Sequence, residues 1–171
     1  METGLARCLE DPGWRAAIDD AAAALETELQ RDLQRAARRR LLRDDLDLTW
    51  DSVPLRSLWL VTHRGLRRAG FRRHDASTAV LVTWRGAGLV LVRPPGRRQS
   101  HTLAPWNAPP SAGGERAVLV PAGTPYDTLA DATTWHVLVA HSHPAVGLVR
   151  RQLVQRDNEE SWFELPEEEP S

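Results

Sequence analysis

Residues 116–144, RAVLVPAGTPYDTLADATTWHVLVAHSHP, constrain the fold more than any other part of the chain. Two apolar, β-branched runs, 117–120 and 135–140, bracket a connection rich in Pro, Gly, Asp and Thr. Branched and aromatic side chains suit a pleated, half-buried surface, and Gly and Pro supply the backbone angles of turns, so the segment reads as strand, turn and returning strand. Upstream, 57–62 (SLWLVT) reads as another strand, and 79–84 with 88–93 as a hairpin closed by Arg85-Gly86-Ala87. These runs are nearly continuous in Val and Leu, where a sheet washed by solvent on one face would alternate. They predict strands covered on both faces.

Ahead of the strands, Asp11-Pro12-Gly13-Trp14 offers an N-cap and an early helical proline, and Ile18, Ala22, Leu25, Leu29, Leu33 and Ala36 recur at three- and four-residue spacing. The spacing predicts one amphipathic helix over 12–42. At about 1.5 Å per residue it would be longer than a small barrel is wide, which leaves part of its apolar stripe to be buried elsewhere. A homodimer through this helix follows as an expectation, with Ile18, Leu25, Leu29 and Leu33 in the contact. The arginines of its second half would then face Asp44, Asp45 and Asp47 across a two-fold axis. Beyond His143-Pro144, Leu148, Val149 and Leu153 predict a short helix over 146–155, and the acidic residues 156–171 predict a disordered tail. The chain thus divides into an N-terminal helical segment, 1–50, a β domain, 51–155, and the tail. Residues 94–114 form a long aperiodic Pro/Gly/Ser/Arg loop, in which Trp106 predicts a lid over a pocket.

A chain of 171 residues fits one domain with a proper core. Its formal net charge of −1 gives no argument for nucleic acid or an anionic membrane. All 22 basic residues are arginine, which reads first as the bias of a GC-rich, bacterial genome. The run Arg31, Arg35, Arg38, Arg39, Arg40 and Arg43 is read as a solvated helix end and not as a nucleic-acid face, because the three aspartates that follow would weaken any phosphate-binding field. The single cysteine, Cys8, excludes an internal disulfide framework and a Cys-rich zinc site, and no N-terminal apolar run resembles a signal peptide or a membrane span. A reducing cytoplasm is the expected compartment.

Nucleophile and phosphate signatures are missing. Ser100-His101 and Ser142-His143 are contiguous and would face apart on a strand, there is no Gly-x-Ser-x-Gly, and Gly86-Ala87-Gly88 leads into a strand where a phosphate cradle needs a helix. His141 and His143, two apart, share one face of an extended segment as metal ligands would, although a strand end also lets such residues bond locally. His63 and His101 have no partner by spacing.

The hexapeptide Pro121-Ala122-Gly123-Thr124-Pro125-Tyr126 resembles the second cupin motif, in which Pro-x-Gly-x-x-His delivers a metal-binding His into a small β-barrel. More widely, residues 70–144 resemble the double-stranded β-helix of cupins and of iron- and 2-oxoglutarate-dependent oxygenases. Gly70-Phe71-Arg72-Arg73-His74-Asp75 is similar to the JmjC hydroxylase segment Gly-Phe-x-x-His-x-Asp. The end of the block looks like the aspartyl/asparaginyl hydroxylases: Tyr126 stands at the iron-binding His, Asp131-Ala132-Thr133-Thr134 at a short turn, His136 at the Arg that grips 2-oxoglutarate, and His143-Pro144 matches a His-Pro. The resemblance implies an α+β fold, a cupin-like barrel with a long N-terminal and a short C-terminal helix, and places Tyr126 and His136 in one cavity. It also implies a metal set drawn from His74, Asp75, His141 and His143, with Fe(II) and 2-oxoglutarate, the latter near His136.

The departures weigh against that chemistry. His74 and Asp75 are adjacent and would point to opposite faces of a strand, Tyr126 is a poor substitute for an imidazole, and a His at 136 replaces a bidentate guanidinium. The sequence therefore predicts a diverged, non-catalytic or repurposed binding domain without a cofactor. It would take a small molecule, peptide or protein partner in the barrel mouth near Tyr126, His136, Trp84 and Trp106. The alternative is an iron-dependent hydroxylase using His74 or Asp75 with His136 or His141.

Overall fold

The computed structural model describes residues 4–109, 111, 113–156 and 159–165. Two helices come first, α1 (Leu5–Glu10) and α2 (Pro12–Arg31), and Asp11 caps α2 by accepting from the Trp14 N–H. The strands that follow are β1 (Ala37–Arg43), β2 (Leu48–Trp50), β3 (Val53–Leu55), β4 (Ser57–His63), β5 (Arg72–Arg73), β6 (Ala79–Arg85) and β7 (Gly88–Val92). Then come β8 (Gln99–Thr102), β9 (Val118–Val120), β10 (Tyr126–Ala130), β11 (Trp135–His141), β12 (Arg150–Arg156) and β13 (Glu159–Leu165). One sheet has the order β1-β4-β11-β6-β9 and the other β13-β12-β5-β10-β7-β8, while β2 and β3 make a small hairpin of their own.

The inner eight strands give the architecture. From β4 to β11 the chain passes back and forth between the sheets, so that β4-β11-β6-β9 faces β5-β10-β7-β8 with the first strand beside the last. Strands interleaved in this way form a double-stranded β-helix, the cupin-type jelly roll. The fold is α+β and cupin-like, as the sequence predicts.

Two cores share the β1-β4-β11-β6-β9 sheet. On its outer face Leu58, Leu60, Val80, Val82, Leu138 and Ala140 pack under Ile18, Leu25 and the α1 leucines, and on its inner face Leu81, Val118, Val137 and Val139 meet Val90 and Val92 of the opposite sheet. Every residue of β11 is buried. Covered strands explain the continuous apolar runs.

Several local expectations are corrected. The helix over 12–42 stops at Arg31, and Ala37–Arg43 is a strand that pairs with β4. The stop is built from outside: Arg64 donates to the carbonyl of Leu29 in the last turn and to that of the C-cap Asp32, and Arg67 to that of Leu33 just beyond, which ties down the chain as it leaves the helix. The free edge of β4 then takes up the next segment. Ile18, Leu25 and Leu29 are buried within this chain itself, while Leu33 is exposed, so three of the four residues expected in a dimer contact are already covered. Arg38 and Arg40 pair with Glu28 of the same chain, and Arg35 with Asp32, which removes the charge argument for that dimer as well.

Residues 79–93 are not a hairpin. Gly86, at φ +90°, turns the chain from one sheet to the other, so β6 pairs with β11 and β9 while β7 pairs with β10 and β8. Likewise 117–120 and 135–140 lie in one sheet but on either side of β6, with β10 between them in sequence on the opposite sheet. The predicted C-terminal helix is strand β12, which pairs with β5 and β13. Part of the predicted tail, Glu159–Leu165, is β13; residues 166–171 lie outside the described residues. Among the described residues no helix is long and apolar enough to cross a membrane.

Candidate functional site: the barrel mouth

The site grows from a turn. Pro121–Thr124 closes on itself, with the Thr124 N–H bonded to the Pro121 carbonyl, and the Gly123 N–H donates to the His74 carbonyl at 2.9 Å. This docks the start of β10 on the end of β5, in a register that places Tyr126 opposite Arg72. The buried Asp127, on the other face of β10, accepts from Arg68 Nε at 2.7 Å and from the Gly70 N–H at 2.9 Å, and so fixes the approach to β5. As a result Tyr126 Oη lies 3.4 Å from His74 Nε2, with both residues buried.

His141, at the end of β11, completes the cluster from the opposite sheet. Its ring meets that of His74 edge-on at 4.4 Å between centroids, and its Nδ1 lies 3.1 Å from Ser77 Oγ. Burial pushes His74 down to about 3, and the charges of Arg72, Arg150 and Arg39 add to the effect. His141 is likewise driven well below its usual range, first by burial and then by His74 and the same arginines Arg39 and Arg72. Both imidazoles are therefore neutral at ordinary pH.

Around them is a cavity of about 220 Å³ between the sheets, on the side where β1 extends one and β12 the other. Its apolar walls include Trp59, Val61 and Val139, and its charged lining is wholly cationic: Arg35, Arg38, Arg39, Arg72 and Arg150. No Asp or Glu among the described residues lines it. Arg39 stacks over Trp59 at 4.5 Å, and Arg72 over the Tyr126 ring at the same distance.

The predicted site residues divide. His74, Tyr126 and His141 come together; Asp75, His136 and His143 do not. Asp75 turns outward into ion pairs with Arg73 at 2.9 Å and Arg151 at 3.0 Å, as its adjacency to His74 requires. His136 sits on the outer face of β11, beneath α2, with Nδ1 2.8 Å from Thr62 Oγ1 and Nε2 2.7 Å from Glu26 Oε1. Tyr126 and His136 thus do not share a cavity: His136 has the opposite strand parity to the inward-facing His141. His143 lies past the end of β11 and bonds the Pro144 carbonyl, so it does not pair with His141.

Trp84 and Trp106 are also away from the mouth. They stack at 5.5 Å with planes 3° apart in the core under the helices, and the Trp106 N–H bonds the Thr83 carbonyl, so Trp106 anchors its loop and forms no lid over the His74 cavity. The residues that sequence reasoning missed are Arg72, Arg150 and Trp59. Arg72 had a signal, since it lies two before His74 on a β segment and must face the same side.

A facial iron site of two His and a carboxylate does not fit these residues. The mouth offers two imidazoles and a phenol with no carboxylate, and among the described residues no three His, Cys, Asp or Glu are grouped to hold a metal.

No family model and no curated protein matches the chain in sequence. Solved structures similar to it include oxalate oxidase in complex with the substrate analogue glycolate, at 13% identity and a TM-score of 0.48, covering 66% of this chain and 54% of that one. Vicilin from Corylus avellana (hazelnut) is 13% identical with a TM-score of 0.49, covering 75% of this chain and 32% of that one. The capsular polysaccharide assembling protein CapF from Staphylococcus aureus is 10% identical with a TM-score of 0.43, covering 63% and 25%. The chain spans about half the length of the oxalate oxidase and a third or less of the other two. The fold assignment rests on the strand order itself.

Proposed function

We propose that this protein is a diverged cupin-fold binding domain that holds a small molecule in the barrel mouth without a metal. The observation that carries the reading is the composition of the mouth: Tyr126 stands in the position of the expected distal ligand, Asp75 faces outward, and the cavity beside His74 and His141 keeps a size suited to a small ligand. A recess of about 220 Å³ with apolar walls and a few convergent polar groups has the make-up of a small-molecule site, and it is too small for a folded partner. Its polar groups are held by neighbouring strands of a rigid barrel, so little ordering is needed on binding.

The alternative, an iron-dependent hydroxylase, is favoured by one feature, the two neutral imidazoles 4.4 Å apart, since neutral His is the metal-binding form. The two readings separate on metal. Incubated anaerobically with Fe(II), desalted and submitted to elemental analysis, the protein is expected to retain no stoichiometric iron and to consume no 2-oxoglutarate when oxygen is admitted. Iron near one equivalent, lost in His74→Ala, would overturn the binding-domain reading.

A further inference from the structure

The mouth contains a cation, Arg72, to which no described residue brings a counter-charge. Arg72 is 6% exposed, and its polar contacts are neutral: Nη1 donates to the Gly70 carbonyl at 3.2 Å and Nη2 to Thr128 Oγ1 at 3.0 Å, with the Tyr126 ring against its face. No carboxylate among the described residues pairs with it. The other cations of the lining differ in this respect where partners are described, since Arg38 is matched by Glu28 and Arg35 by Asp32. A buried guanidinium is costly to desolvate and is ordinarily balanced by an anion. Here the cavity is what remains on its open side.

We infer that the ligand of the mouth is an organic monocarboxylate with an apolar body, its carboxylate paired with Arg72 and its body against Trp59, Val61 and Val139. This rests on the binding-domain reading and names the ligand class for it. Three features select that chemistry. One guanidinium without an acid asks for one negative charge, and its planar fork matches the two oxygens of a carboxylate. The all-cationic lining would repel a cationic ligand and gives a neutral one no advantage. Trp59, Val61 and Val139 offer an apolar surface that a bare inorganic anion has no atoms to cover, which favours an anion with an apolar body.

The test uses the unmodified protein with benzoate, its neutral isostere benzamide, and inorganic phosphate, followed by calorimetric titration and by the rise in melting temperature that any ligand of the folded state produces. Benzoate is expected to bind at least about tenfold more tightly than benzamide, as a charge-assisted pair in a desolvated site should, and phosphate more weakly than benzoate. Arg72→Met is expected to lower benzoate affinity by about 100-fold while leaving benzamide within about threefold. Should that variant fail to fold, the benzoate-to-benzamide ratio on the unmodified protein decides alone. Equal binding of the two probes overturns the carboxylate assignment and leaves the small-molecule site standing, and tighter binding of phosphate overturns the apolar body. If none of the three binds, the assignment fails together with the reading of the mouth.

Discussion

Three buried neutral histidines make the stability of this fold depend on pH, and the size of the effect follows from the structure. His63 is 1% exposed, stacked on Trp135 and bonded through Nε2 to Thr128 Oγ1 at 2.6 Å. Burial, with Arg72 next in size, pushes it down to about 3; His74 is lowered to the same value and His141 also lies well below the ordinary range. An unfolded histidine titrates near about 6.5. Because the folded values lie below the unfolded one, the unfolded chain binds the extra protons. The stabilisation is therefore complete above about pH 6.5 and is lost as pH falls from there toward about 3. Between about pH 7 and about pH 5.5, each such histidine costs about 1.3 kcal/mol, so the three together cost about 4 kcal/mol, a large part of a typical stability. Urea unfolding followed by far-UV circular dichroism at constant ionic strength measures this directly. His63→Gln, less stable at neutral pH, should lose about 1.3 kcal/mol less than the parent over the same interval. A parent unfolding free energy that changes by less than about 1 kcal/mol from about pH 7 to about pH 5.5 would refute the reasoning.

Two further substitutions probe the scaffold. A Cβ on Gly88 would lie 2.3 Å from Trp135 Cε3 and 2.7 Å from the Leu129 carbonyl oxygen, and Trp135 is fully buried with Nε1 bonded to Thr83 Oγ1, so Gly88→Ala is expected to destabilise by about 2–4 kcal/mol; a change under about 0.5 kcal/mol in the urea midpoint analysis would contradict the packing. Trp106→Ala removes a ring stacked on Trp84 and should cost about 2–4 kcal/mol in the same assay, yet leave benzoate binding unchanged, because Trp106 belongs to the core beneath the helices; a large loss of affinity would restore it as a lid.

The barrel was legible because burial on both faces leaves a mark that survives divergence. Ala79–Arg85 and Trp135–His141 are each apolar at five of seven positions, with apolar side chains on both faces, as a sheet covered on both sides allows. What the sequence hid was pairing at a distance. The run ARRRLLR continues a helical pattern by spacing, but it sits beside the unpaired edge of β4, whose ladder outweighs a helix end already capped by Arg64. The same holds at the other end, where Arg150–Arg156 looks amphipathic with helical period and becomes a strand because β5 and β13 offer it hydrogen bonds on both sides.

The site was half legible for a different reason. The outward turn of Asp75 follows from its adjacency to His74, and the structure bears that out. The same parity rule places Arg72 inward with His74, so the cavity side of this segment carries a guanidinium where Asp75 faces away. This bears on the metal question more strongly than the missing ligands do. At an effective dielectric of about 20, a divalent ion about 5 Å from a single guanidinium such as that of Arg72 would meet a repulsion of about 7 kcal/mol, and no acid lines the cavity among the described residues. Two neutral imidazoles would have to overcome the charge of Arg72, whereas an anion entering the same space is drawn in by it. The charge pattern that opposes a cation at His74 and His141 is the one that would favour a carboxylate at Arg72, so the iron and benzoate titrations test one field from its two sides.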